Sequence, residues 1–213
     1  MRPRILIATA NPAKQQRLRW LLRGSGLATT LPDAAKDWPR IPEDAASHAA
    51  NARAKAIAWS RAADGLAIAS DGGLAIPALG HQWEGLRTRR FAGPEATDAA
   101  RTQALLRLMA GLPSQQRAAW WSESVCLANR GRVLRTWSAD SPRGTIAAAY
   151  DPAKAIAGFW AFSLWIVPPY PRPYAELLPR QQARVDDHWS RLRAQVQQYF
   201  AAGSGAPLLR PLQ

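Results

Sequence analysis

Short apolar runs alternate with helix-period segments along the first two thirds of the chain. Residues 4–9 (RILIAT) are almost wholly apolar and read as an interior strand. Asn11 and Pro12 break that run, and Leu18, Leu21 and Leu22 then share one face of a helix over residues 15–22. Residues 24–42, with Pro32, Pro39 and Pro42, read as a connection holding at most one short strand. A helix over 47–63 follows, capped by Ser47 and built of strong helix formers. Residues 66–69 form a strand that delivers the chain to Asp71, where Gly72 and Gly73 predict a close turn before a second apolar segment, 74–79. A helix over 97–109 ends at Gly111 and Pro113, and strands over 117–128 and 132–139 are joined by a hairpin-like turn at Asn129-Arg130-Gly131. Trp120 and Trp121 point to opposite faces of the first of these strands.

Farther on, residues 144–148 suggest a short strand and 150–156 a loop or single turn. The run GFWAFSLWIV (158–167) is the most aromatic in the chain. Its apolar character assigns it to the core, and stacking of Phe159, Trp160 or Phe162 on a base is the alternative. Asp187 caps a final helix reaching about Phe200, with Trp189, Leu192 and Val196 on its buried face. These elements predict one α/β domain over residues 1–202, followed by a loose, flexible C-terminal tail at 203–213.

Composition adds a sign and a compartment. Lys and Arg number 28 against 15 Asp and Glu, a formal charge of +13 over 213 residues, so the surface field attracts polyanions: nucleotides, phosphorylated metabolites or nucleic acids. The single cysteine, Cys126, excludes an intrachain disulfide and sits in an apolar segment as a buried thiol. The basic N-terminus lacks a convincing signal peptide, and no stretch approaches the ~18 apolar residues of a membrane span, so the expectation is a cytoplasmic protein with no membrane association.

The charged residues left over group by chemistry. Thr9, Asn11 and Lys14 lie where a strand gives way to a helix N-terminus, a position that favours an anion. The glycines of a phosphate-binding GxxxxGK[ST] loop are missing there. Lys55 sits one turn after Asn51, an unusual residue for a helix interior. Arg90 belongs to a basic loop with Arg87 and Arg89, and His188 lies in the first turn of the last helix. Glu43 and Asp71 are the candidate metal ligands. Phosphoryl chemistry needs this mixture, with carboxylates for a hard divalent cation and cations for phosphate oxygens.

These residues stand in motifs that resemble the house-cleaning nucleoside-triphosphate pyrophosphatases of the Ham1, or inosine-triphosphate pyrophosphatase, type. Residues 7–14 (IATANPAK) resemble its T-x-N-x-x-K motif, and 51–56 (NARAKA) its N-A-x-x-K-A helix, with Glu43 eight residues before the Asn. Residues 67–80 resemble its A-x-x-D-x-G-L segment, and Arg90-Phe91-Ala92-Gly93 and Asp98 also match. The later motifs depart. Family G-G-F-G-Y-D-P reads AGFWAFS at 157–163, placing Phe162 where an acid used in base recognition stands. S-H-R reads Asp187-His188-Trp189, and an expected lysine falls on Ala183 beside Arg184. The paired D-D reads Ser70-Asp71, and the Glu before the helical Asn reads Ala50.

The resemblance implies an elongated α/β fold with a mixed twisted sheet and flanking helices, two lobes around a central cleft, and a homodimer. It implies hydrolysis of a nucleoside triphosphate to monophosphate and pyrophosphate with Mg²⁺, or Mn²⁺ in its place. Thr9, Asn11, Lys14, Lys55, Gly72 and Arg90 would contact substrate, Phe159 and His188 would face the base, Glu43 and Asp71 would hold the metal, and Asp71 would activate water. Replacing a base-reading acid with Phe162 forfeits an acceptor worth ~1–3 kcal/mol of discrimination, which implies an altered or relaxed base preference. Two other readings are an inactive relative that binds a nucleotide or other phosphorylated ligand, and, less favoured, a basic protein acting on nucleic acid.

Overall fold

The computed structural model describes residues 2–88, 90–93 and 95–202, the Arg87 side chain excepted; Arg89 and the expected tail at 203–213 lie outside the described residues. The chain divides into two compact units. In described residues, the first comprises 2–71, 123–139 and 189–202, and the second 72–122 and 140–188.

The first unit is built on parallel strands. β1 (Arg4–Ile7) lies between β2 (Ala28–Thr30) and β3 (Leu66–Ala75), with Ile5 opposite Thr29 on one side and Leu6 opposite Ala67 on the other. Parallel neighbours need crossovers, and α1 (Pro12–Leu21) and α2 (His48–Ala62) supply them. β4 (Ala118–Asn129) follows β3 in the strand order and pairs with β5 (Arg132–Asp140). The turn between them is Arg130-Gly131, both at positive φ (48° and 82°), the geometry that suits a two-residue hairpin.

Alternation along the strands sorts their side chains into two layers. Ile5, Ile7, Ile68, Val125 and Leu127 pack with Leu18 and Leu21 of α1 and with Trp189, Leu192 and Val196 of the last helix. Leu6, Ala8, Ala67, Ala69, Cys126 and Ala128 pack with Ala52, Ala56 and Trp59 of α2. The result is a mixed α/β fold, a central sheet flanked by helices. Small residues on both sides of the second layer let α2 lie close to β3, and the same alternation (67, 69, 71) turns Asp71 toward α2.

The second unit holds α3 (Asp98–Leu108), the start of β4, β6 (Gly144–Ile146), β7 (Trp165–Ile166) and the short α4 (Pro179–Gln182). Its strands are antiparallel: Ala118 faces Thr145, and Thr145 faces Ile166. Arg117 is buried yet satisfied, because its guanidinium donates to the carbonyls of Met109, Ile146 and Ala147 at 2.7–2.8 Å. The last helix, α5 (His188–Ala201), begins one residue after Asp187, and Trp189, Leu192 and Val196 are fully buried as the periodicity implies. Among the described residues no helix is long and apolar enough to cross a membrane.

Two local expectations are corrected. The Asp71-Gly72-Gly73 stretch is no turn, since β3 runs unbroken from Leu66 to Ala75. The glycines serve close approach instead: a Cβ on Gly73 would lie 1.9 Å from the Gly85 carbonyl oxygen and 2.8 Å from Thr88 Oγ1. The first helix also starts earlier than residue 15. Asn11 caps it, accepting from the N–H groups of Ala13 (2.9 Å) and Lys14 (3.3 Å), and Pro12 takes the first helical position, where a missing N–H costs nothing.

Candidate active site

The first unit gathers its charged residues where β3 meets the N-terminal half of α2. Ser47 caps that helix through a bond from the Ala50 N–H (3.2 Å), which sets its first turn against the strand. His48, Asn51 and Lys55 are spaced three and four apart and therefore share one helix face. All three reach Asp71, which is only 5% exposed. Lys55 Nζ donates to Oδ1 at 2.8 Å, while His48 Nδ1 and Asn51 Nδ2 meet Oδ2 at 2.8 and 3.2 Å. Lys55 also donates to Glu43 Oε1, so one ammonium joins the two carboxylates. Asn51 Oδ1 accepts from the Ala45 N–H at 3.1 Å, fastening the Glu43 loop to the helix.

Charge states follow from these contacts. Burial pushes the Asp71 carboxyl up, but the His48 hydrogen bond and the charges of Lys55 and Lys14 outweigh it, and its pKa is lowered to about 2. Burial pushes Lys55 down, yet Asp71 and Glu43 together raise it. Both groups are therefore ionised at neutral pH. Lys14 completes the cluster through Glu123 on β4, at 3.2 Å from Oε1 of an acid only 4% exposed.

Thr9, Asn11, Lys14, Glu43, Lys55 and Asp71 thus all fall in one unit, and each has a local role. Thr9 Oγ1 accepts from the Asn11 N–H at 3.2 Å, and its carbonyl accepts from Gln15 Nε2 at 2.9 Å. The remaining candidates belong to the second unit. Gly72 continues β3, and Arg90 sits on an exposed turn. Phe159 is half-buried and stacks on Phe162, with centroids 5.0 Å apart and planes 11° apart. His188 is buried, its ring lying 6.0 Å from that of Trp121 at 17°. Phe162 itself is 1% exposed and packs on Trp121 and Tyr174, so the aromatic run fills the second unit's core.

Two contributors, His48 and Glu123, escape sequence reasoning as site residues. Asn51 is conspicuous in a helix interior, but nothing in its spacing names Asp71 as its partner. His48 reads as an ordinary first helical residue. Glu123 carried the clearest unused signal, an acid between two serines in an otherwise apolar strand. Ser70, where the resemblance expects an acid, has its hydroxyl buried without a hydrogen-bond partner among the described residues, so no second charge adjoins Asp71 from that side. Among the described residues there is no group of three or more His, Cys, Asp and Glu arranged to hold a metal ion. What remains for a hard cation is a pair of oxygen donors, Asp71 and Glu43, converging on one cationic point.

A Ham1 family model matches residues 5–196. The chain is 30% identical over 188 residues to a dITP/XTP pyrophosphatase of Geobacillus kaustophilus, covering 85% of this chain and 86% of that protein. It is 30% identical over 156 residues to the dITP/XTP pyrophosphatase of Geobacter sulfurreducens, covering 70% of this chain and 78% of that protein. Among solved structures it superposes on a HAM1 protein from Coxiella burnetii with a TM-score of 0.78 at 25% identity, covering 94% of this chain and 99% of that one. A dITP/XTP pyrophosphatase from Mycobacterium abscessus gives 0.67 at 26%, covering 97% and 100%. With a family model spanning residues 5–196 and a relative 30% identical over 85% of its length, the chain belongs to the Ham1 family.

Proposed function

We propose that the protein hydrolyses nucleoside triphosphates, ribo or deoxy, to the monophosphate and pyrophosphate, with relaxed base preference. The observation that carries this reading is the interleaving of cations and carboxylates around Asp71, where Lys55 joins Asp71 to Glu43 at hydrogen-bond distance. Lys14 and Lys55 offer ammonium donors to phosphate oxygens, and each already neutralises a carboxylate that an entering anion would compete with. Asp71, ionised and held at both oxygens, orients an attacking water by accepting its hydrogen bond. Glu43 and Asp71 would hold Mg²⁺, or Mn²⁺. Two ionised oxygens suit a cation that takes one or two carboxylates and completes its shell with water and substrate phosphates. When bound, that ion supplies charge neutralisation at the phosphate oxygens.

Relaxed preference rests on the second unit. Phe162 offers no hydrogen-bond acceptor and is engaged by Trp121, Phe159 and Tyr174, and Trp189 is wholly buried in the first unit's core. Neither side chain can read a base edge by hydrogen bonding where the resemblance expects an acid and a cation.

The test is pyrophosphate release from a panel of nucleoside triphosphates with Mg²⁺ or Mn²⁺, comparing the wild type with Asp71→Asn and Glu43→Gln. Turnover that both substitutions abolish supports the reading, and wild-type activity in Asp71→Asn overturns the role of that residue. A preference for inosine over ordinary triphosphates above ~100-fold, or about 2.7 kcal/mol, overturns the relaxed specificity. Saturable nucleotide binding without turnover would mark an inactive binder.

A further inference from the structure

His48 has no part in the chemistry described so far, yet it is one of the donors that fix Asp71. Its side chain is 14% exposed, so it is not a solvated first-turn residue, and its Nδ1 lies 2.8 Å from Oδ2. The contact is set by secondary structure: His48 is the first residue of α2, Asn51 and Lys55 follow on the same face, and Asp71 comes from the facing strand. Each donor has a distinct duty. Lys55 holds Oδ1 but is shared with Glu43. Asn51 meets Oδ2 at 3.2 Å and is also tied to Ala45. The shorter bond to Oδ2 comes from His48.

Resting on the proposed hydrolysis, we infer that His48 is a positioning residue for that reaction, donating its Nδ1–H to Asp71 Oδ2 and so setting the plane of the carboxylate that orients water. A carboxylate accepts only, so the bond requires the proton on Nδ1. With Oδ2 engaged by a ring anchored at a capped helix end, rotation of the carboxylate about its last torsion breaks a charge-assisted bond. The angle at which Oδ1 faces Lys55 and substrate is thereby fixed. Loss of the imidazole leaves Asp71 charged and bound to Lys55, with Oδ2 held only by the longer bond from Asn51 and its plane less firmly set. The reaction slows while phosphate contacts through Lys14 and Lys55 persist.

The experiment uses the full-length protein with the best triphosphate of the panel above and three variants. His48→Phe keeps an aromatic ring and removes the donor, His48→Asn keeps an N–H near the Nδ1 position, and Asp71→Asn removes the charged acceptor. His48→Phe is expected to lower kcat about 10–100-fold with KM changed less than about threefold, and His48→Asn to restore kcat to within about fivefold of wild type. An unchanged kcat in His48→Phe, an effect confined to KM, or equal impairment of both His48 variants would overturn the inference. A second readout needs no turnover: in ¹⁵N-histidine-labelled protein, which has three histidines, the His48 signal should report a proton on Nδ1 and should move in Asp71→Asn. If the wild type hydrolyses nothing, the functional reading fails on the panel alone. The spectrum still decides the contact, and an Nδ1 without a proton overturns it.

Discussion

Lys55→Met makes the sharpest demand on the charge cluster. Methionine keeps most of the side-chain length and removes the ammonium that joins Asp71 to Glu43. The Lys55 side chain is 15% exposed and those of Asp71 and Glu43 are 7% and 30% exposed, so the first carboxylate is left inside the protein while the second can turn toward water. Breaking a buried pair by removing one partner costs about 3–5 kcal/mol. The partial access of Glu43 places this site at the lower end, about 3 kcal/mol at pH 7.

The pH dependence separates this mechanism from a simple packing loss. In the wild type, Asp71 is lowered from 3.8 to about 2, a linkage contribution of roughly 2 kcal/mol. A depressed acid stabilises the fold above its unfolded-state pKa, so that contribution is intact at pH 5 and is lost only as pH falls from about 4 through 2. Without Lys55, burial acts on Asp71 against weaker opposition and its pKa rises, so the variant has less of this contribution to lose and its deficit should narrow as pH falls from about 4 toward 2. Urea unfolding of both proteins at neutral pH and across that acid window measures this. A deficit under about 1 kcal/mol at pH 7, or one that stays constant or widens across the acid window, would refute the reasoning. Pairing Lys55→Met with Asp71→Asn in a double-mutant cycle should give a coupling of about 1–3 kcal/mol.

Other outcomes follow from packing. Phe162→Asp, which would put an acid where the resemblance expects one, should cost about 3 kcal/mol or more and yield no gain in base selectivity, because the carboxylate enters an aromatic core without a partner; urea unfolding and the triphosphate panel test both halves. Gly73→Ala should destabilise by about 2–4 kcal/mol, since backbone must move to relieve a 1.9 Å approach to Gly85, measured as a shift in the urea midpoint. Cys126 is fully buried and its thiol is pushed up by burial, so iodoacetamide should label the native protein negligibly and the urea-unfolded protein readily, as read by mass spectrometry.

Strand and helix placement was legible because each side chain's periodicity met the burial it implied. The unbroken apolar runs at 4–9 and 66–69 and the Ser47 cap are local signals that the layers of the first unit satisfy. Gly72-Gly73 misled because glycine has two uses: the same pair that permits a turn also permits backbone to pass close to Gly85. Only the tertiary neighbour decides between them, and it lies twelve residues away in the chain.

The site was legible in its ions and illegible in their wiring. Lys55 and Asp71 declare themselves as charges in helix and strand interiors, where an unpaired charge is costly, so their presence implies partners. The identity of those partners depends on which strand face meets which helix face, and that is settled by small residues such as Ala52, Ala56, Ala67 and Ala69, which carry no chemistry of their own. Once α2 lies that close to β3, three residues on one helix face converge on a single carboxylate. Histidine at position 48 then acquires a role that its position in the chain does not announce. The same closeness bears on Ser70 and Ala50, where the resemblance expects acids. Even without acids at those positions, Lys14 and Lys55 stand among three carboxylates, Asp71, Glu43 and Glu123, so the cluster is short of positive charge. A triphosphate would therefore enter it together with a divalent cation, which restores the balance.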